Sequence, residues 1–197
     1  LPTKVMVIGA AKFAVEHSGL IQGIPSSIYI FPQNRTEGFS DFKPSLIVLD
    51  WFSRNIGPFP FSKLAHVQSK TRWGGMENAG AIFYFENSVN GKNERESLIA
   101  HETAHQWFGN SASEADWRHV WLSEGFATYC TVLYLEDRYG EERRTQELLS
   151  QRKTIISYFD KVKTPIVDLN VKDINTVLST NTYQKAGWVL HMLRNKT

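Results

Sequence analysis

The residues best suited to chemistry lie in the run Ala100-His101-Glu102-Thr103-Ala104-His105-Gln106-Trp107-Phe108, which contains the pattern His-Glu-x-x-His. Residues four apart on an α-helix share a face about one turn apart, so His101 and His105 can aim two imidazole nitrogens at one point. That point suits a metal ion. Zinc is the expected metal, because neutral imidazole binds it well and two nitrogens plus one carboxylate leave the fourth corner of a tetrahedron for water. Glu102, beside the first ligand, is placed to act on that water. A five-residue pattern recurs by chance, and a helical histidine is usually solvated or hydrogen-bonded, so the reading needs a third ligand. Glu124 supplies it. It stands near the start of Trp121-Leu122-Ser123-Glu124-Gly125-Phe126-Ala127-Thr128-Tyr129, where Phe126, Cys130 and Leu133 fall at helical spacing. Eighteen residues separate His105 from Glu124, enough to leave one helix, cross a loop and return with a carboxylate for the two imidazoles.

These side chains need particular elements to hold them. A helix is expected over residues 94–108, capped by Asn93 with Glu96 as reciprocal partner and stopped at Gly109. The helix carrying Glu124 is expected to stop near Tyr139-Gly140. Another is expected over 141–159, broken by Thr164-Pro165; residues 167–180 read as a loop with a short helix, and 181–193 return to helix with Tyr183 at its head. Upstream, residues 4–10 and 27–31 have strand composition, the first as a linking or edge strand. Phe42, Leu46, Leu49, Phe52 and Ile56 recur at helical steps over 41–55, with Ser40 or Asp41 as cap and Pro44 in the first turn. The run Gly57-Pro58-Phe59-Pro60-Phe61 ends that helix, its phenylalanines pinning it to the body. Residues 63–68 and 81–85 read as strands. Between them lies Gly74-Gly75-Met76-Glu77-Asn78, whose glycines permit close backbone approach. Extended at a sheet edge, it could take a peptide as an added strand, with Glu77 at its end.

Taken together, these motifs resemble the M1 zinc aminopeptidases, a family of gluzincin metallopeptidases. The family signature, His-Glu-x-x-His followed after eighteen residues by Glu, is matched by His101, Glu102, His105 and Glu124, and its Gly-x-Met-Glu-Asn motif by Gly74 to Asn78. The stretches His105-Gln106-Trp107-Phe108-Gly109-Asn110, Trp121 to Ala127 and Tyr183-Gln184-Lys185 are similar too, so the resemblance spans roughly residues 59–194. One departure stands at Ala186, where the family's Tyr-x-Lys-Gly pattern has glycine.

The resemblance implies an α+β, thermolysin-like zincin catalytic domain over 1–197, a small mixed sheet followed by a mainly helical lobe. It implies one zinc ion on His101, His105 and Glu124, Glu102 and Tyr183 as catalytic groups, and Gly74, Gly75, Met76, Glu77 and Asn78 as the substrate-binding segment. The expected substrate is a peptide with a free N-terminus, whose α-ammonium group Glu77 holds; a zinc-bound water attacks the first peptide carbonyl with Glu102 as base and Tyr183 stabilising the oxyanion. Asn110, Asp116 and Glu96 are candidates for orienting the imidazoles. Other readings are an endopeptidase of the same fold, a bifunctional aminopeptidase and epoxide hydrolase, since one member combines both and carries Gly-Gly-Met-Glu-Asn, and a non-catalytic binding module on the same scaffold.

Composition bounds these readings. A chain of 197 residues, 42% hydrophobic and 13% aromatic with six tryptophans, can bury a core, and one domain is the expected count. The net charge of +2 and scattered basic residues point away from nucleic acid. Cys130 allows no internal disulfide and reads as a small buried residue. No stretch reaches the length of a membrane span, so this portion is expected to be soluble, its compartment open. The chain starts at Leu1 without an initiator Met or signal-like segment and is expected to be part of a longer protein, lacking the N-terminal β domain and C-terminal helical domain of the family.

Overall fold

The computed structural model describes residues 6–196, and the chain divides into two compact units, Leu1–Ser111 and Ala112–Thr197. The first holds a mixed sheet. Strands β1 (Ala14–Ile21) and β2 (Ile24–Ile30) form an antiparallel hairpin. Its two-residue loop places both Gln22 and Gly23 at positive φ, 50° and 82°, the handedness that matches strand twist. Strands β2, β3 (Leu64–Ser69) and β5 (Ala81–Phe85) are parallel, and the two-residue β4 (Gly75–Met76) lies antiparallel beside β5, giving the order β1-β2-β3-β5-β4.

The strand expected over 4–10 is not where sequence placed it. Residues 4 and 5 lie outside the described residues, 6–10 are irregular, and the outer strand is β1. Most of its side chains are exposed and its register shifts between His17 and Gly19, so it carries no clean alternation of apolar residues. The helix expected over 41–55 starts later, as α2 (Ser45–Asn55) with Pro44 at its cap position, and a separate helix, α1 (Arg35–Asp41), precedes it. Proline has no N–H to donate and its ring obstructs the preceding turn, so the helix starts there. Asp41 is wholly buried and accepts three backbone N–H groups, from Asn90 (2.7 Å) and Gly91 (2.8 Å) on Oδ2 and from Asn93 (2.8 Å) on Oδ1. Asn93 is therefore no helix cap. Its φ is 56° and its side chain accepts from Ser40 Oγ, so Arg95 stands at the cap position and α3 is Glu96–Ala104.

The core of this unit lies along β3, buried over nearly its whole length. Gln68 is paired in place: its Oε1 accepts from the Phe31 N–H at 2.9 Å and its Nε2 donates to the Glu86 carbonyl at 3.0 Å. His66 Nδ1 lies 2.9 Å from the Tyr84 hydroxyl, and Phe42 packs on the Tyr84 ring at 4.7 Å. Burial pushes the His66 pKa down to about 3 and raises that of Tyr84 well above the usual tyrosine value. At the end of α3, Trp107 stacks on Phe52 of α2 at 5.7 Å and meets Phe59 edge-on at 5.4 Å, so the proline-rich turn is pinned as expected.

The second unit is helical, with α4 (Trp121–Tyr139), α5 (Glu141–Phe159), a π-helical turn (Asn181–Lys185) and α6 (Ala186–Arg194). Gly140, at φ 86°, stops α4, and α5 has the bounds expected from sequence, ending ahead of Thr164-Pro165. A short 3-10 helix (Ile174–Thr176) interrupts the loop before the π-turn. Tyr129, Val132 and Leu148 form a buried cluster against which Trp188 and Leu190 pack. Glu136 ties three helices together, pairing with Arg144 of α5 and Arg194 of α6, each at 2.6 Å. Cys130 is buried and its thiol pKa is pushed up to about 12, which agrees with a packing role. Helices α4 and α6 meet through small residues. A Cβ placed on Gly125 would stand 2.6 Å from the Ala186 Cβ, and one on Gly187 would stand 3.2 Å from Thr128 Cγ2.

Burial of His66 and close packing at Gly125 each make a measurable demand on stability. His66 is neutral in the fold but protonates near pH 6.5 once unfolded, so the unfolded chain binds more protons between pH 6.5 and about 3. The stability this residue confers is complete above pH 6.5 and falls as pH drops, by up to about 1.4 kcal/mol per unit. Urea unfolding across that range should show a shallower acid loss in His66→Phe than in the parent; equal slopes would contradict it. For the helix contact, Gly125→Ala should cost about 1–3 kcal/mol through overpacking, with Ala186→Gly restoring most of it. A Gly125→Ala protein as stable as the parent would show that α4 and α6 are less closely packed.

Candidate active site

Helix α3 delivers the two histidines in its last turn, yet it ends earlier than expected. Ala104 is its last residue and His105 occupies the C-cap position, still at helical dihedrals (φ −60°, ψ −20°), so its ring stays on the face of His101. Tight turns replace the expected final helical turn: Gln106 N–H donates to the Thr103 carbonyl, Trp107 N–H to that of Ala104 and Asn110 N–H to that of His105. Gly109, at φ 121°, permits the reversal.

The imidazoles face each other. His101 Nε2 and His105 Nε2 are 3.1 Å apart with the ring planes 85° apart, and His105 is 1% exposed. On its far side His105 Nδ1 lies 3.0 Å from the Phe108 carbonyl. A carbonyl can only accept, so Nδ1 carries the hydrogen and Nε2 turns its lone pair toward His101. This is the outer support that a zinc-ligating histidine uses to fix its tautomer. Two nitrogens on one tetrahedral zinc, each about 2.0–2.1 Å from it, lie about 3.3 Å apart. Spacing, tautomer and donor type all fit zinc.

Glu102, next in sequence, is buried and lies against β4. A Cβ on Gly75 would collide with its carboxylate, so the bare backbone of that glycine makes room for it. The Glu102 charge, after burial, is the second cause that raises the Tyr84 pKa. Strand β4 is the last in the sheet order, with Gly75 opposite Tyr84 and Met76 opposite Phe83; its outer edge is not paired with another strand among the described residues. Gly74 anchors the near end, its carbonyl accepting from the Phe85 N–H at 3.1 Å. Glu77 comes directly after the strand, half-buried, and its carboxylate makes no hydrogen bond or ion pair among the described residues. Asn78 is buried behind it.

The first unit thus brings together His101, Glu102, His105 and the segment Gly74 to Asn78. Glu124 and Tyr183 belong to the second. Glu124 is buried in the first turn of α4, where the neighbouring Ser123 hydroxyl donates to Glu114 at 2.5 Å. Tyr183 sits, half-buried, in the π-helical turn that opens α6, a distortion that frequently accompanies functional positions.

Two of the three candidates for orienting the imidazoles bond elsewhere. Asn110 Nδ2 donates to the Glu77 carbonyl at 2.6 Å, Asp116 makes a two-point contact with Arg118 at 2.8 and 2.5 Å, and Glu96 is the first residue of α3. The partner of His105 is a backbone carbonyl, which leaves no mark in sequence. Gln106, which sequence does not single out, also supports the Glu77 segment. It is wholly buried and bonded to the Glu77 segment, and the signal in the sequence is an amide side chain set directly after the second histidine of the motif. Among the described residues, no helix is long and apolar enough to cross a membrane.

Known proteins similar in sequence and in fold place the chain among its relatives. The rice protein Aminopeptidase M1-B is 27% identical over 99% of this chain, and mouse Aminopeptidase N is 29% identical over 98% of it. The chain spans only 24% and 22% of those relatives' lengths. In fold it is similar to native leukotriene A4 hydrolase from Saccharomyces cerevisiae, with a TM-score of 0.82 at 22% identity, covering 93% of this chain and 30% of that one. It is also similar to a mutant M1 zinc metallopeptidase from Deinococcus radiodurans, with a TM-score of 0.70 at 21% identity, covering 94% of this chain and 41% of that one. Residues 46–197, well over half of the sequence, match the model of the Peptidase family M1 domain, and the chain therefore belongs to peptidase family M1.

Proposed function

We propose that these residues form the thermolysin-like catalytic domain of a zinc metallopeptidase that removes N-terminal amino acids from peptides. The observation that carries this reading is the arrangement within the first unit. A pair of imidazole nitrogens 3.1 Å apart, one with its lone pair fixed toward the other, adjoins a buried carboxylate that lies against Gly75 of β4, the last strand of the sheet among the described residues. His101, His105 and Glu124 are the ligand set proposed for zinc. When bound, zinc supplies a Lewis acid able to acidify a water and polarise a carbonyl at neutral pH.

The remaining steps fall to the chain's own groups. A peptide laid along β4 pairs with its outer backbone edge and is held extended. Glu77, ending that edge, receives the substrate's α-ammonium group, and a charge-assisted contact of this kind is about twice as strong as a neutral hydrogen bond. Because the amine is held there, the first peptide bond is the one presented for attack. Glu102 takes the proton from the attacking water and passes it to the leaving amine. Tyr183 donates its hydroxyl hydrogen bond to the oxygen that becomes negatively charged, a contribution of about two to three orders of magnitude in rate. The word aminopeptidase in the names of the rice and mouse relatives accords with this assignment.

Hydrolysis of leucine anilide and of its N-acetylated counterpart by the zinc-loaded protein, with a chelator-treated control, tests the class of reaction. Cleavage of the free amine alone, abolished by chelation, is expected; cleavage of the acetylated compound at a similar rate would indicate an endopeptidase. Two substitutions then separate the roles. Glu102→Gln should retain zinc and lose about two to four orders of magnitude in kcat, whereas Glu124→Ala should lose zinc itself. Full activity in Glu102→Gln would exclude this mechanism.

A further inference from the structure

Strand β4 has two residues, too few for its ladder to fix the position of the next one, yet Glu77 must stand at a set distance from the imidazole pair if it is to choose the first peptide bond. The structure shows what holds it. The Glu77 carbonyl accepts two amide donors, Gln106 Nε2 at 3.0 Å and Asn110 Nδ2 at 2.6 Å. Gln106 also reaches the other end of the same turn, its Oε1 accepting from the Gly80 N–H at 2.9 Å. Both side chains are buried, Gln106 completely and Asn110 to within 2%. Both come from the turn that carries His105: Gln106 is its neighbour, and the Asn110 N–H donates to the His105 carbonyl at 3.1 Å. The second donor arrives on an oxygen already bonded once, so either amide alone leaves the turn tethered at fewer points.

We propose that Gln106 and Asn110 are positioning residues that set the register of the exopeptidase, locking the main chain of Glu77 to the His105 turn so that amine anchor and attack centre keep one residue's spacing. Neither touches substrate. They act through the Glu77 peptide, and misplacement by about 1 Å is enough to cost about a hundredfold in a reaction that depends on alignment. The inference rests on the peptidase reading above and adds to it the means by which specificity for a free N-terminus is kept.

The test compares equilibrium binding of leucine hydroxamate with that of its des-amino analogue to the zinc-loaded full-length protein. Both compounds offer the metal the same group, and only the first offers an amine. The parent should prefer the amine form by at least about tenfold. Asn110→Asp and Gln106→Met each remove a donor to the Glu77 carbonyl at little change in volume. Each should abolish most of that preference while zinc content and affinity for the des-amino compound stay within about twofold. Preference retained in both variants would overturn the inference, and so would loss of zinc in both, since the clamp would then build the metal helix rather than set the anchor. A parent that hydrolyses leucine anilide yet shows no preference would remove Glu77 as the anchor and this inference with it. A parent that neither holds zinc nor hydrolyses the anilide would refute the peptidase reading itself.

Discussion

Two imidazole nitrogens 3.1 Å apart, one of them on the buried ring of His105, cannot both present bare lone pairs to each other without something positive between them. One of the two is committed: the bond from His105 Nδ1 to the Phe108 carbonyl leaves its Nε2 as the acceptor. The pair must therefore share a proton or a cation, and the helical spacing that brings the rings together makes the second a natural occupant. Much of the first unit serves to maintain that arrangement.

The support is built from buried polar groups used as fasteners. Asp41 gathers three backbone N–H groups from the loop ahead of α3 and so fixes where that helix begins. Trp107, wedged between Phe52 and Phe59, fixes where it ends. Gln106 and Asn110 reach from the same end to the Glu77 turn. Leaving any of these groups unpaired in a dry interior costs more than its bond contributes, which gives each contact a strongly preferred geometry. Beneath the sheet edge, the His66 and Tyr84 pair stays uncharged for the same reason of burial, keeping further charge away from Glu102.

Much of this was legible in the sequence because the informative features were local. The spacing of His101, Glu102 and His105 reads directly from helix geometry, the bounds of α5 come from its punctuation by Gly140, and residues 81–85 declare themselves as a strand by composition. The family resemblance is borne out by the Peptidase family M1 match. Features that depend on distant partners are not legible in the sequence. Asn93 looks like a helix cap until Asp41, fifty-two residues earlier, takes its N–H. Strand β1 has too little apolar alternation to be seen, because most of its side chains meet solvent. Pro44 is compatible with a first helical turn as well as with a cap, so sequence starts α2 at Asp41 although it begins at Ser45. The carbonyl that orients His105 has no side chain to reveal it.

The central claim is the metal centre, and X-ray absorption at the zinc edge of the zinc-loaded protein tests it most directly. A His, His, Glu set predicts one zinc per chain, an inner shell of nitrogen and oxygen only at about 2.0–2.2 Å, and the outer scattering of two imidazole rings. Replacing His105 by Ala should remove one of those rings or the zinc altogether. A sulfur shell at about 2.3 Å, or a spectrum unchanged by that replacement, would contradict it.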